Sequence, residues 1–238
     1  RTFLCNNSAF GGHNASLAIA CPGAAPATLP DSDALQPVVI TACGVVSALG
    51  LGASSLARPG HGATGPRRPL ALPGFPDFTA AVVDEAEVQR FDRRLDLRHM
   101  DRSSRWATVA ARLAVREAGF PEKTAALADL GLHLHLSAGP SWAESEYLTS
   151  FLGNQRVVRE VAAFPYIVPS SVAGNVCRAL RLTGPNLTLS SGPGAGLLAL
   201  GPAVSALHTG HVRALLCGAV DELTERIVAD RVSAGWIT

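Results

Sequence analysis

From Pro37 onward the chain alternates between two periodicities, and this limits its folds more than any other feature. A β-branched run occurs at Val38 to Ile40, and short runs of strand character follow at Leu130 to Leu136, Leu187 to Ser190 and Val212 to Ala219. Longer segments with helical spacing separate them. Strands set this far apart cannot be joined by tight hairpins; the intervening helices must carry the chain over the sheet. The alternation predicts an α/β fold with a mainly parallel sheet covered by helices. A chain of 238 residues, 47% of them hydrophobic, has the material for a large core.

The clearest helix is expected over Asp101 to Ala118. Trp106, Val109, Ala110, Leu113 and Ala114 recur at i, i+3, i+4, i+7 and i+8; Asp101 can cap the start and Gly119 end it. Further helices are expected over Trp142 to Phe151, Ser170 to Leu180 after Pro169, and Pro193 to His208. Pro202 should kink or shorten the last of these, since a proline inside a helix costs about 3 kcal/mol. Val38 to Ile40 reads as a buried first strand, and residues 51–80 as loop-rich.

Residues 1–22 hold two short apolar runs around Gly11 and Gly12, the pattern of a hairpin. Residues 23–36 are rich in Pro, Ala, Ser and Asp, a linker composition. The chain starts at Arg1 and ends on Trp236-Ile237-Thr238, from which we expect a piece of a longer polypeptide. No secretory pattern follows Arg1, and the longest apolar stretch, Gly194 to Leu207, is too short for a bilayer and contains Pro202. The expected location is therefore cytoplasmic. Twenty basic against 19 acidic residues, a net charge of +1, argues against nucleic acid or membrane as partner. The five cysteines form no CxxC pair and are expected as buried free thiols.

Three passages resemble one family, the β-ketoacyl synthases, which are condensing enzymes of thiolase-like fold. PVVITACGVVSALG (37–50) is similar to their opening strand and turn, MDRSSRWATVAARLAVREAGF (100–120) to their first long helix, and LTGPNLTLSSGPGAG (182–196) to the strand-turn-helix that presents their active-site cysteine. LLCGAVDEL (215–223) fits the following strand. NNSAFGGHNASL (6–17) resembles a passage from the other end of the same family. The resemblance thus implies three parts: the C-terminal strands of a preceding ketosynthase module over 1–22, a linker over 23–36, and the N-terminal half of a second, incomplete module over 37–238.

In that family the cysteine thiolate, favoured by a helix N-terminus, takes an acyl chain from a carrier protein as a thioester. Backbone N–H groups form the oxyanion hole. Aligned with the family, Pro193 stands at the cysteine position. Proline has neither a nucleophile nor an N–H, yet it suits the first turn of a helix. No catalytic residue is therefore expected in 37–238. Ser191 is the alternative nucleophile; no histidine lies close in sequence, so Ser190 and Ser191 are read as turn and capping residues. Phe10, Gly11 and Gly12 match the family's gating and oxyanion loop and would serve the preceding module; the glycines equally suit a plain turn, and His13 carries little expectation of chemistry.

His133 and His135 share one side of a strand, but no third ligand accompanies them, so no metal is expected. His208 and His211 lie near a helix end. Asp221 and Glu222 are adjacent and should diverge. The arginines at 93, 94 and 98 could meet an acidic carrier protein, or form a solvated face.

What the resemblance implies is a non-catalytic, chain-length-factor-type module supporting acyl condensation in polyketide or fatty-acid-type biosynthesis. Its partners would be an active ketosynthase, in the same polypeptide or as a second subunit, and an acyl carrier protein. It would dimerise through the strand Asn186, Leu187, Thr188, Leu189 and Ser190, with loops around 139–170 walling an acyl tunnel and no cofactor. The alternatives are an active β-ketoacyl synthase, decarboxylase or acyltransferase using a non-cysteine group, and a degenerate scaffolding remnant.

Overall fold

A computed structural model describes residues 2–9, 13–20, 36–57, 67–69, 78–121, 125–152, 164–210 and 212–236. The strands are β1 (Thr2–Ala9), β2 (His13–Ala20), β3 (Val46–Ser47), β4 (Gly50–Leu51), β5 (Arg67–Pro69), β6 (Thr79–Ala81), β7 (Gly131–Leu136), β8 (Asn186–Ser190) and β9 (Leu215–Val220). The helices are α1 (Glu85–Arg90), α2 (Arg102–Glu117), α3 (Ala125–Ala128), α4 (Ser141–Leu152), α5 (Ser170–Leu180), α6 (Ala195–Leu198), α7 (Leu200–His208) and α8 (Glu225–Ser233).

The central sheet has the order β8-β7-β9, and both pairings are parallel. All six residues of β7 are buried, as a middle strand covered on both faces requires. Leu132, Leu134 and Leu136 point into the main core, with Val109 and Val115 of α2 and Val172, Val176 and Leu180 of α5. His133 and His135 therefore occupy the opposite face. The chain steps from β7 to β8 in one direction, then back across β7 to β9. Right-handed crossovers put α5 on one face and the α6–α7 pair on the other. α6 accordingly lies against β7 and β9.

Local signals explain most elements. The Asp101 side chain accepts the Ser104 N–H at the start of α2 (3.4 Å), and Gly119 ends it at φ 73°. α5 follows Pro169 over the expected residues. The expected hairpin is β1 paired antiparallel with β2, Asn7 opposite Ala15; Phe10, Gly11 and Gly12 lie outside the described residues.

Three expectations are corrected. Val38 to Ile40 forms no strand and is not buried: Val39 and Ile40 are 72% and 80% exposed. The segment runs beside α2 and β9 without joining the open outer edge of β9, and it lines an apolar cavity of about 550 Å³. Cys43 and Cys217 are exposed, one on that segment and one on a sheet-edge strand; Cys177 is half-buried, and all three are free thiols. Finally, the helix expected over Pro193 to His208 is broken into a 3-10 turn (Gly192–Gly194), α6 and α7. The break at Ala199 places Pro202 in the first turn of α7, where its missing N–H is harmless. Two capped helices went unforeseen: α1, capped by Asp84, and α8, capped by Thr224.

Candidate functional site

The strand-turn-helix around residues 186–198 is built by backbone bonds. The Ser191 N–H donates to the carbonyl of Leu136 at the end of β7 (2.9 Å), which fixes where the chain leaves the sheet. Gly192 then turns it at φ 71°, a conformation suited to glycine. Pro193 follows at the start of the 3-10 turn, exposed, and the Ala195 N–H closes that turn onto the Gly192 carbonyl. Nothing at Pro193 can attack a carbonyl carbon.

Cys43, Cys177 and Cys217 all lie off this turn. Cys177 lies on α5, where burial pushes its thiol up to about 11, far from a reactive thiolate. Cys217 lies in the middle of β9 and Cys43 on the segment beside α2.

Ser191 is not the isolated hydroxyl expected from its sequence neighbours. Its Oγ lies 2.9 Å from Nδ1 of His135, which is 56 residues earlier in the chain. The sheet makes the contact: β7 and β8 run parallel in register, with Leu136 opposite Ser190, so the end of one strand meets the turn after the other. His135 is 1% exposed. Burial lowers its proton affinity, and that of His133, where the charge of His135 adds a smaller effect. Both rings are thus held neutral at pH 7. Ser190 is not in a turn but ends β8, its hydroxyl donating to the Ser137 carbonyl (3.4 Å). Among the described residues no group of three His, Cys, Asp or Glu side chains could hold a metal ion.

A polar cluster lies beyond the C-terminal ends of β7 and β9, with Glu222 buried and Asp221 at its exposed rim. Asp221 accepts the Ser137 N–H and Glu222 the Trp142 N–H, both at 2.8 Å, so the adjacent carboxylates diverge as expected. Burial raises the proton affinity of Asp221, Glu222 and Asp101. The Arg102 guanidinium lies between Trp106 and Trp142, 5.9 and 5.6 Å from the ring centroids. Glu222 anchors the first turn of α4 and so shapes the segment after β7; only the Asp-Glu pair itself hinted at this role.

The basic stretch before α2 is largely self-paired. Arg94 bonds Asp92 (3.2 Å) and Arg98 bonds Asp96 (3.1 Å), while the Arg93 side chain is exposed. His208 ends α7 and bonds the Gln36 carbonyl (3.1 Å); His211 lies outside the described residues. β8 is a sheet edge, with Leu189 39% exposed. α4 exposes Leu148, Phe151 and Leu152, and the α6–α7 pair exposes Leu197, Leu198 and Leu200. No helix among the described residues is long and apolar enough to cross a membrane.

Known proteins share this architecture. Nodulation protein E of Rhizobium sp. (strain N33) is 31% identical over 195 residues, which cover 77% of this chain and 46% of that protein. The chain therefore spans about half the length of this relative. The solved ishigamide ketosynthase/chain length factor superposes with a TM-score of 0.72 at 25% identity, covering 86% of this chain and 52% of that one. A type II polyketide synthase acyl-carrier protein in complex with its ketosynthase bound to the hexaketide gives 0.61 at 20% identity, covering 84% and 49%, a likeness of fold. The α/β fold, a parallel sheet with helices, is thus that of the thiolase-like condensing enzymes. The model of the β-ketoacyl synthase N-terminal domain matches residues 77–237, more than half of the sequence, and the chain belongs to the β-ketoacyl synthase family.

Proposed function

We propose that residues 37–238 act as a ketosynthase-like module of the chain-length-factor type, which supports acyl condensation in polyketide or fatty-acid-type biosynthesis without forming an acyl-cysteine itself. One observation carries this reading: the turn after β8, where the family presents its cysteine, holds Pro193, and no described thiol lies on it. The likeness to a ketosynthase/chain length factor supports it.

In this reading the module pairs with an active ketosynthase through the free edge of β8 and works in the cytoplasm as a dimeric assembly. Residues 1–22 would be the closing strands of such a ketosynthase in the same polypeptide. The exposed Leu148, Phe151 and Leu152 of α4 would wall an acyl tunnel. Arg93 would meet an acidic carrier protein. A degenerate module that only scaffolds the assembly is the rival reading.

The test incubates the intact polypeptide with acyl- and malonyl-carrier thioesters, with and without an active ketosynthase. The chain alone is expected to give no β-ketoacyl product, and Phe151→Ala to change product length in the assembly. A β-ketoacyl product from the chain alone overturns the non-condensing reading. An unchanged length distribution despite intact assembly favours the scaffold.

A further inference from the structure

The contact between His135 and Ser191 has no part in that role, and its geometry is that of a nucleophile and its base. Ser191 Oγ is located twice over: its own backbone N–H is tied to Leu136, and Nδ1 of His135 stands 2.9 Å from the hydroxyl. The residue has φ −124° and ψ 8°, close to the sparsely populated bridge region where many active-site residues sit. The two partners differ in accessibility. His135 is sealed behind the sheet, whereas Ser191 is half-buried and leads directly to the exposed Pro193 and Gly194. A substrate can thus approach the hydroxyl from the open turn, with Nδ1 of His135 directly behind it.

We propose that Ser191 and His135 form an acyl-accepting pair that hydrolyses acyl thioesters. Ser191 Oγ adds to the thioester carbonyl carbon as its proton passes to Nδ1 of His135. The tetrahedral adduct then breaks its C–S bond, and the leaving thiolate takes that proton to depart as a thiol. An acyl oxyester remains on Ser191. Water, giving its proton to Nδ1, hydrolyses it to a carboxylic acid and restores the hydroxyl. The choice of a thioester rests on the family reading; the pair itself does not.

The chemistry needs the tautomer in which Nδ1 is bare and Nε2 carries the hydrogen. Nε2 is buried without a hydrogen-bond partner, so no carboxylate orients the ring, and the Ser191 hydroxyl can donate to Nδ1 or accept from it. Burial keeps the imidazole unprotonated at pH 7, the form a base requires. Without an orienting acid the pair should be slow, suited to clearing stalled chains rather than rapid turnover.

The experiment treats the intact polypeptide with a fluorophosphonate probe and, separately, with an acyl-N-acetylcysteamine thioester, followed by intact mass and peptide mapping. One adduct is expected, on Ser191, with slow release of free acid from the thioester. Ser191→Ala should abolish both, and His135→Gln should slow labelling by roughly 100-fold or more. If His135→Gln does not fold, Ser191→Cys replaces it, and its thiol should react with iodoacetamide at least about tenfold faster than Cys43 or Cys217. No adduct on Ser191, or equal alkylation rates, overturns the proposal. A β-ketoacyl product would instead bear on the non-condensing reading alone, so the two can fail separately.

Discussion

Gly44→Ala measures how tightly the segment before β3 is held to the rest of the fold. A Cβ built on Gly44 would lie 1.8 Å from the carbonyl oxygen of Ala110 and 2.8 Å from the amide nitrogen of Ala114. It would wedge into a helical hydrogen bond in the middle of α2. Ordinary van der Waals separation is roughly 3.5 Å, so the segment must retreat by roughly 1.7 Å. The obstacle is helix backbone, which cannot rotate aside as a side chain would. Overpacking of this kind costs about 1–3 kcal/mol or more. At about 2–4 °C per kcal/mol for a chain of this size, Tm should fall by about 2–12 °C. Gly174→Ala is the matched control: it makes the same chemical change within α5, where a new Cβ meets nothing within 4 Å. There alanine's better helix propensity should add about 1 kcal/mol and raise Tm by about 2–4 °C. Calorimetric melts of both variants decide the matter. If Gly44→Ala melts at or above the wild type, residues 36–45 do not lie against α2, and the cavity they line has no fixed wall.

Leu136 is fully buried at the end of β7, so Leu136→Ala should cost about 2–5 kcal/mol in urea unfolding, with an unchanged m-value. Asp92 is buried among Arg94, Arg112 and Arg116. Burial would raise its pKa, but the Arg94 hydrogen bonds and the Arg116 and Arg94 charges hold it below the usual carboxylate value. Its pairing therefore stabilises the fold above pH ~4 and is lost as pH falls further, toward the depressed folded pKa. Asp92→Asn should cost about 3 kcal/mol at pH 7 and flatten the acid limb of a urea-midpoint profile. Glu222 has the opposite sign: burial raises its folded pKa, so the fold gains stability as pH falls from neutral through that pKa toward the unfolded value near ~4.3. Glu222→Gln keeps an acceptor for the Trp142 N–H and removes the buried charge. It should be more stable than wild type at pH 7 and lose part of the rise on acidification, the rest coming from Asp101 and Asp221, which shift the same way.

What could be read from the sequence was what is decided locally. The α2 helix follows from apolar spacing, an aspartate cap and a terminal glycine; α5 follows from Pro169; β7 follows from its Leu-His alternation. Each depends on residues a few positions apart. The failures share a cause as well. Val38 to Ile40 has strand propensity, but whether it pairs with the neighbouring edge of β9 is decided by how it packs between α2 and β9, not by three local residues. Pro202 is incompatible with an uninterrupted helix, yet the break falls three residues before it, because a proline in a first turn needs no strain. The partner of Ser191 was invisible because 56 residues separate it from His135, and only the register of two parallel strands joins them.

That register also explains how this turn can carry Pro193 and still hold the contact between Ser191 and His135. The turn after β8 is held by the Leu136 carbonyl, by the positive φ of Gly192 and by the bond closing the 3-10 turn, all of them backbone features. None depends on the side chain at 193. Proline there satisfies every backbone demand of a first helical turn. His135 differs, because a histidine buried in a middle strand costs desolvation and leaves Nε2 unsatisfied, which leucine or valine would avoid. The fold carries this cost at the one position of β7 whose ring reaches the turn. An apolar residue at 135 would therefore give a better core and would leave Ser191 without its base, and these two effects of opposite sign, on stability and on labelling, separate a packing role from a chemical one.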